Sequence, residues 1–202
     1  MRIQSQDFHA AASVRRGTRH IDSGLPCQDA VCLRRGQDRA TGHRILAAVL
    51  CDGAGSALYA REGAQAVCEA AAGLLAEEYS RLENASLSAA RQALMRCIKR
   101  ALTRTSRTLG CPQRQLASTL TAAVLDETAR TMLTFHLGDG VILGLDGSGR
   151  TTALSGAENG RFCNETWFTT SRDAARHLRL GWHDLAAEDL LAVFLSSDGL
   201  PL

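Results

Sequence analysis

Apolar residues follow two rhythms along this chain, and the change from one to the other sets out its elements. Predominantly apolar runs, several rich in β-branched residues, at 44–51 (RILAAVLC), 118–125, 131–137, 141–145 and 190–197 are bounded by Gly, Asp and Ser clusters. Runs of that length and bounding read as buried strands. Residues 8–20 alternate loosely, like a first strand entering a loop, and a second short strand near 29–33 follows the turn Gly24-Leu25-Pro26. From Ser56 to about Tyr79 the spacing becomes three and four, with Ala60, Ala64, Val67, Ala71, Leu74 and Leu75 on one face. Asn84-Ala85-Ser86 can cap a second helix, in which Ala90, Leu94, Cys97, Ile98, Ala101 and Leu102 repeat the pattern until Gly110-Cys111-Pro112. A short TTAL segment follows the turn at 146–149, and residues 172–180 read as a short helix. The order is three strands, two helices, then several strands. With no helix among the early strands to make a parallel crossover, it predicts antiparallel sheets with helices outside, in one domain.

Composition removes several classes of function. Of 202 residues, 4% are aromatic and 22% charged, with a net charge of +2. The doublets Arg15-Arg16 and Arg34-Arg35 are too short for a nucleic-acid footprint, and there is little ring surface to stack on bases, so no nucleic-acid partner is expected. No apolar stretch approaches the roughly 20 residues that cross a bilayer. The opening MRIQSQDFHAAASVRRG lacks the apolar core of a secretory signal, so a cytoplasmic, membrane-free protein is expected. Seven cysteines without a CxxC pair point to reduced, largely buried thiols.

Candidate chemistry lies at the ends of the apolar runs. Asp52 closes ILAAVLC, Asp139 follows MLTFHLG, and Asp198 follows LLAVFLSS; each is succeeded by glycine. Asp29, in PCQDA, stands just before a short strand. Two readings stay open on spacing alone. The aspartates either end strands at different edges as ordinary Asp-Gly turns, or converge on one pole of the sheets. Converging carboxylates would raise one another's pKa unless a cation sat among them, and a hard divalent ion such as Mg²⁺ or Mn²⁺ prefers oxygen ligands.

Taken in order, GTRHIDSGLPCQDAV, AVLCDGAGSALYAREGAQAV, ASTLTAAVLD, FHLGDGVIL, NETWFTT and FLSSDGL resemble the metal-dependent type 2C serine/threonine protein phosphatases, and most nearly their compact bacterial branch. The likeness spans about residues 10–200. It implies an α+β fold, a four-layer αββα sandwich of two antiparallel β-sheets flanked by helix pairs. It also implies a centre of two Mn²⁺ or Mg²⁺ ions. By motif, Asp52 would bridge both ions, Gly53 would offer its carbonyl, and Asp198 would ligate one of them. Asp29 would bind or order metal-held water, and Asp139 would associate with a further ion or its waters. The implied activity is hydrolysis of phosphoserine and phosphothreonine by an activated water. The implied partners are phosphorylated proteins, substrates of a serine/threonine kinase.

Three departures from the family pattern stand out. The family carries another metal-binding aspartate in an Asp-Asn pair some tens of residues beyond SDG, whereas this sequence stops at Leu202. The expectation is therefore a single 1–202 phosphatase-like domain shortened at its C-terminus, with the closing strands beyond it. Ala54 occupies a position where many relatives have a histidine, which leaves His20 as the candidate general acid. Gln28 replaces a common acidic residue, and Arg16 and Arg19 are the candidates for binding substrate phosphate. These gaps leave an alternative: a catalytically impaired module that binds phosphoproteins or regulates a kinase partner.

Overall fold

The computed structural model describes residues 8–156 and 166–198, with the Arg19 side chain left undescribed. Its elements are α1 (Thr18–Asp22), β1 (Ala30–Gln37), β2 (Arg44–Cys51), α2 (Ala60–Glu77), α3 (Tyr79–Glu83) and α4 (Leu87–Leu109). A 3₁₀ turn (Gln113–Leu116) leads to β3 (Leu120–Asp126), β4 (Thr131–Leu137), β5 (Val141–Asp146) and β6 (Thr151–Ser155). The last described elements are α5 (Ala174–His177), β7 (Arg179–Asp184) and β8 (Leu190–Ser196). All strand pairings are antiparallel, in a five-stranded sheet ordered β1-β2-β3-β4-β7 and a three-stranded sheet ordered β6-β5-β8. The mixed α+β sandwich with two antiparallel sheets is thus present.

Strand alternation sorts the large sheet into two faces. Ala47, Val49 and Cys51 of β2 share a face with Ala122 and Val124 of β3 and with Leu133, Phe135 and Leu137 of β4; all are buried in one apolar core under α2 and α4. The helices meet this face through Val67, Ala71, Leu75, Leu94, Ile98 and Leu102, the spacing read in the sequence. Ser86 caps α4 by accepting from the Ala89 N–H at 3.3 Å, and Gly110 ends it with φ 65°. The opposite face looks toward the small sheet, where Ala123, Met132, Leu185 and Leu190 form a smaller core. That cover is partial: Val31 and Leu33 of β1 lie on this face yet are 37% and 39% exposed.

Two local expectations are corrected. Residues 8–20 form no strand. Residues 8–17 are irregular and Thr18–Asp22 is a helical turn, because the stretch pairs with no other strand that would hold it extended. The helix placed over 172–180 is only Ala174–His177, and Arg179 already begins β7, whose register against β4 holds it extended despite a mixed sequence. Among the described residues, no helix is long and apolar enough to cross a membrane.

Candidate functional site

The registers that build the large sheet also bring its acidic strand ends together. β1 and β2 pair Ala30 with Cys51, so one step further sets Asp29 opposite Asp52. The two carboxyls share a hydrogen bond. Asp198, just past β8 of the other sheet, hydrogen-bonds Asp52 and adds its charge to both aspartates. The spatial meeting that spacing left open is therefore present for these three. His20, in α1, is near enough for its charge to act on Asp29.

Electrostatics mark Asp52 as the centre of the group. Burial first, then the charge and hydrogen bond of Asp29, then those of Asp198, push its carboxyl up to about 8. Asp29 is raised as well, chiefly by burial and by the Asp198 charge, against its hydrogen bond to Asp52 and the lowering effect of His20. Like charges this close keep a proton between them unless a cation replaces it. Among the described residues, no group of three or more His, Cys, Asp or Glu side chains is arranged so that it could hold a metal ion as it stands; the carboxyls bond to one another through Asp52.

The backbone around Asp52 is tightly held. Its N–H donates to Thr119 Oγ1 at 3.0 Å, and its carbonyl accepts from the Thr119 N–H at 2.8 Å. The Ala54 N–H donates to the Ala117 carbonyl at 2.9 Å. Gly53 and Ser118 therefore form a non-hydrogen-bonded pair, which turns the Gly53 carbonyl away from β3, toward the β1 side from which Asp29 comes. A Cβ on Gly53 would stand 2.7 Å from the Gln28 carbonyl oxygen and 3.0 Å from Ala60, so only glycine fits under the start of α2. Gly138, at φ 120°, meets the same constraint from the other side: its Cβ would lie 2.6 Å from Thr119 Cγ2.

The remaining predicted residues are dispersed. Asp139 lies in the β4–β5 connection and accepts from Thr166 Oγ1 at 2.8 Å; it is not among the groups acting on Asp52. Arg16 is exposed and donates to the Leu25 carbonyl at 3.4 Å. The Arg19 side chain and residues 164–165 of NETWFTT lie outside the described residues. Ala54 is buried with Ala57, Ala60 and Ala117. Gln28 is buried too, and its Oε1 has no partner among the described residues.

Two features escaped the sequence. Ser118 and Thr119 are more than small strand residues. Thr119 fixes Asp52, and the Ser118 carbonyl accepts from the Thr169 N–H at 2.8 Å, docking the 166–170 segment. His136 is 1% exposed, with Nδ1 2.9 Å from both Arg179 Nη2 and Ser155 Oγ; burial and then Arg179 lower its pKa to about 4. An isolated histidine in an apolar run gave no hint of a partner 43 residues away.

The donors on hand are all oxygen: three carboxyls and the turned Gly53 carbonyl. That set suits a hard divalent cation, and a positive charge would relieve the repulsion that raises Asp52. The family model described as protein phosphatase 2C matches residues 16–201. No curated protein matches the chain. Among solved structures, the S. agalactiae serine/threonine phosphatase is 17% identical with TM-score 0.59, over 92% of this chain and 76% of that one. The serine/threonine phosphatase Stp1 from Staphylococcus aureus is 16% identical with TM-score 0.55, over 87% and 71%. RsbX in complex with magnesium is 13% identical with TM-score 0.54, over 88% and 69%. At these identities the likeness is one of fold.

Proposed function

The chain belongs to the protein phosphatase 2C family, and from that premise we propose that it removes phosphate from phosphoserine and phosphothreonine in proteins, with two Mn²⁺ or Mg²⁺ ions. The observation that carries the reading is the meeting of Asp29, Asp52 and Asp198 from two different sheets. When bound, the ions would supply a water deprotonated near neutral pH and offset charge on the phosphoryl oxygens. Asp52, Asp198 and the Gly53 carbonyl would hold them, and Asp139 would serve a further ion or its waters. Asp29 would orient the attacking water through its carboxyl. His20, beside Asp29, would give a proton to the leaving alkoxide, a role that Ala54 cannot fill. Arg16 and Arg19 would draw the substrate phosphate toward the group. The substrate would be a cytoplasmic protein phosphorylated by a serine/threonine kinase.

The full chain assayed on a phosphoserine peptide should turn over with Mn²⁺ and stop with chelator; equal rates in both would overturn the reading. A second reading, a phosphatase-like module that binds phosphoprotein without hydrolysing it, is favoured by Ala54, whose buried side chain offers no acid. Tight phosphopeptide binding with no turnover at any Mn²⁺ concentration would select it.

A further inference from the structure

We propose that the cleft between α4 and α5 binds a phosphoryl dianion, at a site separate from the carboxylate group. The cleft has a volume of about 300 Å³ and is lined by Ser88, Arg91 and Gln92 of α4 and by Ala175 and Arg176 of α5. Ser88, Arg91 and Gln92 stand at spacings of three and four, so they share one side of the helix. Arg91 Nε is buried and finds no acceptor among the described residues. Neither Arg91 nor Arg176 has a side-chain hydrogen bond or ion pair there. On the same side of the large sheet, by contrast, Arg34 and Arg39 are both neutralised by Glu77.

A buried guanidinium N–H without an acceptor is costly, and an acceptor from outside the chain removes that cost. Two arginines lining one cleft repel a cation and gain nothing from an apolar molecule. A group with several negative oxygens can accept from both forks at once, which is the chemistry of a phosphoryl dianion. Ser88 Oγ accepts from Gln92 Nε2 at 3.3 Å, which leaves its own O–H to donate into the cleft. The 23-residue α4 also presents its positive end here. Arg176 is held in place from below: His177 stacks on Trp167 with ring centroids 3.7 Å apart and planes 9° from parallel.

The cleft lies between helices on the covered side of the large sheet, whereas Asp29 and Asp52 face the other way. The anion is therefore not the group being hydrolysed. Two sources share its chemistry: free inorganic phosphate, the product of the proposed reaction, and a second phosphorylated side chain on a substrate protein. Only the choice of source depends on the phosphatase reading.

The test is a titration of the ¹⁵N-labelled full chain with inorganic phosphate in chelator, read by amide chemical shifts. Saturable shifts are expected at Ser88, Arg91, Gln92, Ala175 and Arg176, unchanged in Asp52→Asn. Arg176→Gln, at an exposed position, should weaken binding about tenfold, and adding Arg91→Gln should abolish saturation. Arg91→Lys provides a second variant should Arg91→Gln fold poorly, because it keeps the charge and loses the fork. Shifts that stay linear, that sodium chloride reproduces at equal ionic strength, or that saturate with wild-type affinity in Arg176→Gln and Arg91→Lys overturn the proposal. A phosphoserine peptide binding at least tenfold tighter than inorganic phosphate, with its unphosphorylated form silent, makes protein the source; equal affinities make it free phosphate. Loss of turnover in Asp52→Asn with these shifts intact separates this site from the catalytic reading.

Discussion

The two faces of the five-stranded sheet are built from alternate residues of the same strands and differ in chemistry: one packs an apolar core under the helices, the other mixes a smaller apolar core with polar and charged residues. One face, under α2 and α4, is aliphatic from Ala47 across to Leu137 and excludes water. The other carries Asp29, Asp52, Thr119, Thr121, Thr134, His136 and Arg179 along the same registers. Burial on the first face fixes the spacing of the strands. On the second face that spacing forces like charges together that would separate in a looser structure. The packing of the apolar side thus helps to hold the carboxyls together on the other side.

The comparison can be broken most severely from the apolar side. Phe135→Ala removes a fully buried ring under the helices and should cost about 3–5 kcal/mol in urea unfolding. A loss below about 1 kcal/mol would mean that this face is not the platform. Next comes Asp52→Asn. In chelator, a carboxyl raised to about 8 when folded binds protons that the unfolded chain has released. Wild-type stability should therefore be fully present below about 3.8 and be lost as pH rises through about 8, at up to ~1.4 kcal/mol per pH unit. The Asn variant should flatten that slope and lose at least ~100-fold in turnover, a loss of ~2.7 kcal/mol.

His136 gives the opposite slope on the same face. Its pKa is lowered to about 4 in the folded chain, so the unfolded chain binds more protons below the ordinary histidine value of 6.5. Stability should be complete above 6.5 and decline as pH falls toward about 4; thermal melts of His136→Gln should show a flatter acid limb. The smallest effect belongs to Val31, which lies on the polar face but is 37% exposed: Val31→Thr should change unfolding by no more than ~0.5 kcal/mol. A larger loss would show that the second sheet covers β1 in solution.

Much of this was legible in the chain itself, and the rest was not for definite reasons. The runs around 44–51 and 131–137 could be read because burial on both faces leaves them predominantly apolar. The helices could be read because their inner residues recur at three and four. Strand β7, RLGWHD, could not, since Gly, Trp and His gain their extended form only from register against β4. Phe8 and its neighbours alternate without a strand to pair with, and loose alternation alone makes no sheet. Asp29, Asp52 and Asp198 were visible as acidic strand ends, but their contact depends on two registers and a sheet packing that no local pattern encodes. Asp139 carries the same Asp-Gly signal and is held instead by Thr166, so the signal alone does not tell the centre of the group from its rim.

The double hold of Thr119 on Asp52 decides how that aspartate can move. With N–H and carbonyl both tied to one residue of the neighbouring strand, the main chain has no slack. The freedom left to Asp52 lies in its two side-chain torsions, which its contacts with Asp29 and Asp198 restrain in turn. Any movement of that carboxyl is then a side-chain rotation, and the strands need not slide.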